Sequence, residues 1–291
     1  MARGFGDMGN RSPKVRSFSR REVLGFIGVT AAASLVAGPG EQSLSAQTQN
    51  TSSRMLKIDA KPEAIAIDIS RTAVIVVDMQ NDFASKGGML DLAGIDISGI
   101  RKAIPPIAKV LISVRHAHIK IVYLKMAFRA DLSDFGAPNS PNRLKHPPFV
   151  GKSTLAPDGR ESRVLIRDTW NTDIVDELKP QTDDLVIYKH RFSGFYQTDL
   201  DSTLKKLGIQ YLIVAGCTTS VCVESTVRDA MFRDYSCVLL EDCMSQPTPP
   251  HGVPGRNHDA SLALAEAAFA WVSKSEQFVT ALKAQPSALA S

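Results

Sequence analysis

Runs of consecutive apolar residues alternate along the chain with segments whose apolar residues recur at helical spacing. The clearest run, residues 73–77, is mostly β-branched and ends in Asp78, which is typical of a strand buried on both faces of a parallel sheet. Further strands are predicted at residues 119–125, 184–189, 211–215, 236–241 and 268–272. Helices are predicted at residues 100–116, 198–207, 221–233, 259–267 and 275–282. This alternation predicts a three-layer α/β/α sandwich around a mostly parallel sheet of about six strands.

Prolines mark two exceptions to this regular alternation. Pro105 and Pro106 fall inside the first helical pattern, and we expect the regular helix to begin near them. Residues 128–163 are rich in Pro, Gly, Asn and Ser and have no clear helical or strand period. Because a long loop within a compact domain usually serves function or forms an interface, we expect one of these roles here.

The N-terminal residues have the composition of an export signal. Arg20 and Arg21 precede an uncharged, weakly apolar run at residues 23–37, and small residues surround Ala46. This order is typical of a secretory signal, and the paired arginines resemble the twin-arginine motif. We expect a twin-arginine-type signal peptide at residues 1–46, a linker at 47–60 and one folded domain at 61–291. The protein would then be periplasmic or secreted and contact the membrane only during export. An uncleaved anchor is the alternative, although a bilayer takes about 20 apolar residues.

Composition and charge narrow the possible functions. The chain has 291 residues, of which 44% are hydrophobic, and this fits one globular domain with an appendage. Of the net charge of +4, residues 1–46 contribute six basic against three acidic side chains, which leaves only +1 for the rest. A nearly neutral body does not predict nucleic-acid binding. The four cysteines are too few for a disulfide scaffold. Cys237 and Cys243 are interpreted as buried thiols, with a disulfide between them as the alternative.

Three reactive side chains follow predicted strands, at the sheet edge where α/β proteins bind ligands. Asp78 ends the first strand, Lys189 ends the third, and Cys222 follows the fourth, where a helix begins. We expect a lowered pKa for a thiol at a helix N-terminus beside a lysine, while a carboxylate can accept its proton. Spacing alone leaves two interpretations of Cys222, an activated nucleophile or a small buried apolar side chain.

The segments around these residues resemble the isochorismatase-like cysteine hydrolases over about residues 60–285. The similarity lies in VVDMQNDF at 76–83, YKHRFSGF at 188–195 and GCTTSVC at 216–222. It implies a catalytic triad of Asp78, Lys189 and Cys222. It also implies a cis peptide bond between Cys217 and Thr218, an oxyanion hole formed by the backbone N–H groups of Thr218 and Cys222, and no cofactor.

Within that family, members with the cysteine hydrolyse amides, and the chain resembles the ureidoacrylate amidohydrolases. This closer similarity lies in KPEAI at 61–65, GGMLDLAGID at 87–96, SGFYQT at 193–198 and VCVESTVRD at 221–229. The turn at residues 216–220 instead resembles the N-carbamoylsarcosine amidohydrolases. Both branches imply a small ureido or N-carbamoyl substrate cleaved through an acyl-cysteine intermediate. Another small amide, such as a biuret- or nicotinamide-like compound, and a non-catalytic binding protein on the same fold are the alternatives.

Metal and substrate contacts complete the set of expectations. Nicotinamidases have an Asp-x-His metal site after the second strand, whereas residues 125–131 contain no histidine, so no metal is predicted. Four side chains are candidates for substrate binding: Gln80, Arg191, Phe195 and Trp170. For these the alternatives are a structural cap, a surface ion pair and, for the two aromatic residues, ordinary core packing. We also expect a homo-oligomer, either a dimer or a tetramer.

Overall fold

A six-stranded sheet, parallel throughout, forms the centre of the domain. The computed structural model describes residues 54–247, 253 and 255–284, so the predicted signal peptide lies outside the described residues. The strands in chain order are β1 Met55–Ile58, β2 Ile65–Asp68, β3 Thr72–Val77, β4 Lys120–Met126, β5 Ser153–Leu155, β6 Glu161–Arg163, β7 Leu185–Lys189, β8 Tyr211–Cys217, β9 Ser236–Ser245 and β10 Trp271–Ser273. The central sheet has the order β10-β9-β8-β3-β4-β7, and each neighbouring pair is parallel. The predicted fold class is confirmed.

Helices cover both faces of this sheet. In chain order they are α1 Asn81–Ala84, α2 Met89–Leu92, α3 Ser98–His116, α4 Pro141–Leu144, α5 Leu200–Lys206, α6 Glu224–Met231, α7 Arg256–Ala268 and α8 Ser275–Lys283. The buried side chains of β3 alternate between two cores. Val74 and Val76 pack with α3 and α8, while Ile75 and Val77 pack with α5, α6 and α7. The strand is buried on both faces, as its continuous apolar run predicts.

The domain begins before the predicted boundary. Residues 47–60 were expected to be a linker, whereas Met55–Ile58 form β1, which pairs with β2 in an antiparallel hairpin. The reason is a short alternation of apolar and polar positions, in which Leu56 and Ile58 are buried in the core and Lys57 is exposed. Four residues of alternation are a weak signal beside the long central strands.

Two other boundaries also differ from the sequence prediction. Helix α3 begins at Ser98, well before Pro105 and Pro106. The carbonyls that lose their N–H donors to these prolines belong to Arg101 and Lys102, which are exposed, so water can satisfy them. The last strand is shorter than predicted, because α7 continues through Ala268 and leaves β10 to begin at Trp271. None of the described helices is both long and apolar enough to span a bilayer.

Candidate active site

Asp78, Lys189 and Cys222 come together at the carboxyl edge of the central sheet. The Nζ of Lys189 lies 2.8 Å from Oδ2 of Asp78, and both side chains are fully buried. The Cys222 thiol, in a residue that is 5% exposed, lies beside both charged groups and interacts with each. The side chains that follow β3, end β7 and follow β8 therefore form one buried cluster of a carboxylate, an ammonium group and a thiol.

Main-chain contacts fix the ion pair in this position. Oδ1 of Asp78 accepts a hydrogen bond from the Met126 N–H at 2.9 Å, at the end of the neighbouring strand β4. Nζ of Lys189 also donates to the carbonyl of Arg191 at 3.2 Å and contacts Sδ of Met126 at 3.6 Å. Because every partner of the pair is provided by the fold, its geometry is set before any substrate binds.

The Gln80 side chain binds backbone groups beside Asp78. Its Oε1 accepts from the Met126 N–H at 2.8 Å, and its Nε2 donates to the carbonyls of Met126 at 3.0 Å and Thr172 at 3.2 Å. The side chain is fully buried and its amide is occupied by backbone groups. This favours the structural alternative for Gln80, since the same Met126 N–H also holds Asp78.

The turn after β8 carries Cys222. The peptide bond between Cys217 and Thr218 is cis, as the resemblance implies, and Sγ of Cys217 donates to the Asp78 carbonyl at 3.2 Å. Residues Thr219–Val223 form one turn of π-helix, in which the Val223 N–H bonds to the Thr218 carbonyl at 3.2 Å. Helix α6 follows directly, so the Cys222 thiol lies at the N-terminal end of a continuous helical segment.

Gly216 allows β8 to pass close to β3 just before this turn. It has a φ of 117°, and a Cβ at this position would lie 2.1 Å from the Val77 carbonyl oxygen. No larger residue fits between the two strands. Glycine therefore brings the turn that carries Cys222 within reach of Asp78, which follows Val77.

Burial opposes ionisation of the Cys222 thiol. Desolvation raises the pKa of the Cys222 thiol to about 12, while Lys189 lowers it and Asp78 raises it. The sequence expectation of a lowered thiol pKa is therefore wrong, because loss of water outweighs the lysine and the helix N-terminus. Burial also raises the pKa of Asp78, although Lys189 opposes that shift. The resting site thus combines a neutral thiol with a carboxylate of increased basicity.

The three remaining candidates for substrate contact lie in different surroundings. The Arg191 guanidinium donates to the carbonyls of Asp134 at 2.9 Å and His190 at 2.5 Å. Phe195 is buried and stacks on Tyr235 with ring centroids 5.8 Å apart, which favours the core alternative. Trp170 lines a cavity of about 850 Å³ whose lining residues do not include the triad. The structure thus brings Asp78, Lys189 and Cys222 together, whereas Phe195 packs on Tyr235 and Trp170 lines a cavity that these three residues do not line.

The long segment at residues 128–163 contains an aromatic cluster that sequence reasoning missed. It holds helix α4 and the antiparallel β5–β6 pair. The His146 ring stacks on Phe192 at 5.5 Å and contacts Phe135 at 5.3 Å and Phe128 at 5.6 Å edge-on. Burial, together with the positive charges of Lys189 and Arg191, lowers the pKa of His146. The segment therefore places a neutral imidazole near the triad, and no sequence motif indicated it.

Asp82, in the strand-end motif, contacts the loop that follows β6. Its carboxylate accepts from the N–H of Met89 at 2.9 Å, the N–H of Leu165 at 2.7 Å and Nδ2 of Asn171 at 2.5 Å. Burial raises its pKa to about 6, against the effect of these three donors. The buried carboxylate of Asp82 therefore links α1 by hydrogen bonds to α2 and to the loop that follows β6.

Cys237 and Cys243 are free, buried thiols, as predicted, and they form no disulfide with each other. In the described part of the chain, no group of three or more His, Cys, Asp or Glu side chains is arranged to hold a metal ion.

The fold and the site define an α/β protein of the isochorismatase type. The isochorismatase domain model matches residues 72–277, which include all six strands of the central sheet and all three triad residues. The chain therefore belongs to the isochorismatase family.

Similar proteins and solved structures have hydrolase and amidase names. Ureidoacrylate amidohydrolase RutB of Caulobacter segnis is 41% identical over 221 residues, which cover 76% of this chain and 90% of that protein. A crystal structure of a cysteine hydrolase from Pseudomonas syringae pv. phaseolicola superposes with a TM-score of 0.65 at 30% identity, covering 75% of this chain and 94% of that one. N-carbamoylsarcosine amidase from Thermoplasma acidophilum superposes with a TM-score of 0.51 at 26% identity, covering 71% and 97%.

Proposed function

We propose that this amidohydrolase cleaves a C–N bond in a small ureido or N-carbamoyl compound, with Cys222 as its nucleophile. The observation that carries the proposal is the buried Asp78–Lys189 ion pair beside the Cys222 thiol at the carboxyl edge of the sheet. The substrate class is supported by relatives named for ureidoacrylate and N-carbamoylsarcosine, since both compounds contain a carbonyl between two nitrogens.

Acylation begins with a protonated thiol. Asp78 accepts the thiol proton while sulfur attacks the carbonyl carbon, so negative charge moves from the carboxylate to the substrate oxygen. Lys189 keeps its proton and balances the charge throughout. The N–H groups of Thr218 and Cys222 donate to the oxyanion, a contribution whose loss elsewhere costs about 100-fold to 1,000-fold in kcat per donor. The C–N bond then breaks, and the nitrogen leaves with the proton from Asp78.

Deacylation repeats these steps with water. Asp78 accepts a proton from a water molecule that attacks the acyl carbon, and the C–S bond breaks after a second oxyanion has formed. The proton returns to the sulfur, which restores the thiol and the carboxylate. Each group ends in its starting protonation state, and no step needs a cofactor.

An ammonia-release screen tests the substrate class. We expect the purified protein to release ammonia faster from 3-ureidopropionate, N-carbamoylglycine or N-carbamoylsarcosine than from biuret or nicotinamide. A preference for nicotinamide, whose carbonyl is bonded to a single nitrogen, would support a different amide, and a preference for biuret would support the biuret-like alternative. Absence of turnover with the entire panel, together with tight binding of one compound, would support the binding-protein alternative instead.

The export proposal is tested with the leader. It is supported by the Arg20–Arg21 pair and the weakly apolar run that follows. Replacing both arginines by lysine is expected to leave the precursor in the cytoplasm, because a receptor distinguishes guanidinium from ammonium groups. Cell fractionation and immunoblotting measure this, with Arg16→Lys as the matched control outside the pair. Normal processing and export of the double-lysine variant would rule out the twin-arginine route.

A further inference from the structure

Two side chains outside the triad contact the turn that carries the nucleophile. Oε1 of Gln246 accepts a hydrogen bond from the Ser220 N–H at 3.0 Å, and Nδ1 of His258 lies 2.9 Å from Oγ1 of Thr219. Gln246 directly follows β9, and His258 lies in the first turn of α7. The turn is therefore held by two elements that contribute nothing to the triad itself.

Gln246 accepts from an N–H group of the turn that is not one of the two predicted oxyanion donors. The first N–H groups of a helical segment have no acceptor within that segment, so each needs a partner elsewhere or points at a ligand. In this turn, the Val221 N–H bonds to the Thr218 carbonyl at 3.1 Å and the Ser220 N–H bonds to Gln246. Gln246 thus binds the N–H that lies between the two donors assigned to Thr218 and Cys222.

The ends and the middle of the turn are anchored separately. At its start, Sγ of Cys217 donates to the Asp78 carbonyl at 3.2 Å, and at its end, Oγ1 of Thr226 donates to the Cys222 carbonyl at 2.7 Å. The middle residues, Thr219 and Ser220, are the ones that His258 and Gln246 contact. Oxyanion donors stabilise a transition state only when their positions are fixed in advance, and a displacement of about 1 Å can cost 100-fold in rate.

We infer that Gln246 and His258 are positioning residues that hold the middle of the nucleophile turn, so that the N–H groups of Thr218 and Cys222 and the thiol stay aligned on the substrate carbonyl. The inference rests on the proposed cysteine-hydrolase function. Both residues act through the turn and not on the substrate. Their loss therefore reduces bond making more than substrate binding.

Steady-state kinetics of the full-length protein test this inference, with the panel compound that gives the highest rate as the probe. In Gln246→Leu and His258→Leu, kcat is expected to fall about 10-fold to 100-fold while KM changes less than about 3-fold, because the lost alignment matters only in the transition state. His258→Asn keeps a polar group near the position of Nδ1 and is expected to recover most of the rate. Gln210→Leu and His116→Leu are matched controls at exposed positions.

Alkylation of Cys222 by iodoacetamide separates positioning from triad chemistry. Because Asp78 and Lys189 remain in place, the pH dependence of alkylation should match that of the unmodified protein in both leucine variants. Wild-type kcat in both leucine variants, or equal losses in His258→Leu and His258→Asn, would overturn the inference but not the proposed function. Turnover that persists in Cys222→Ala would instead overturn the proposed function. If His258→Leu does not fold, Gln246→Leu and His258→Asn decide the outcome.

Discussion

Cys222→Ala is expected to abolish amide hydrolysis while the domain stays folded. The variant loses the atom that forms the bond to the substrate carbon, and in other hydrolases loss of the nucleophile lowers kcat by roughly 1,000-fold or more. Cys222→Ser is expected to be nearly as inactive, because a buried hydroxyl is a much weaker acid than a thiol and Asp78 cannot deprotonate it effectively. Ammonia release measures the activity, and circular dichroism with urea unfolding measures the fold.

A second buried cysteine provides the matched control. Cys237 lies in β9, is fully buried and takes no part in the site, so Cys237→Ala removes a comparable thiol at a distance. We expect this variant to keep its turnover, with at most a modest loss of stability. Near wild-type activity in Cys222→Ala would end the cysteine-hydrolase interpretation.

Lys189→Met is expected to reduce activity almost as strongly. The ammonium is fully buried 2.8 Å from Asp78, and although burial lowers its pKa, the charge of the Asp78 carboxylate raises it above the ordinary value. Without this positive charge, the pKa of the carboxyl group and that of the thiol both rise, because each loses its counter-charge in a buried site. Asp78 then becomes protonated at the working pH and cannot accept the thiol proton.

Two measurements check this expectation. The pH at which iodoacetamide alkylates Cys222 at half its maximal rate should be higher in Lys189→Met than in the unmodified protein. The kcat for amide hydrolysis should fall sharply. Lys189→Arg should restore only part of the activity, since a guanidinium is wider than the ammonium that fits this pocket. Lys205→Met removes an exposed lysine paired with Asp201 and is the matched control. An unchanged alkylation profile and rate in Lys189→Met would show that Lys189 is not part of the catalytic site.

The central sheet could be predicted because its strands have strong local patterns. The apolar run before Asp78 has one interpretation in a chain that alternates strands with helices, and parallel order then brings Asp78 and Lys189 to the same edge. The short strand β1 and the early start of α3 could not be read with the same ease. The start of each element depends on the distant residues that it packs against, and the local sequence does not reveal those contacts.

Other features of the site depend on distance in space and on burial. Gln246 and His258 contact residues 26 and 39 positions earlier in the chain, and no motif connects them to the turn. The direction of an aromatic side chain, as for Phe195 and Trp170, follows from the packing of its whole segment. The raised pKa of Cys222 is set by loss of water around the thiol, whereas the sequence reveals only the charges nearby.

Mass spectrometry of the protein during its first turnover is the most direct test of whether Cys222 forms a covalent acyl intermediate. The protein is mixed with the fastest panel compound, quenched in acid at millisecond intervals and mapped by peptides. We expect a transient mass increase equal to the acyl group on the peptide that contains Cys222, rising before the product and decaying as the substrate is consumed. An acyl group on a different side chain during turnover, with the Cys222 peptide unmodified at every time point, would contradict the role of Cys222 as the nucleophile.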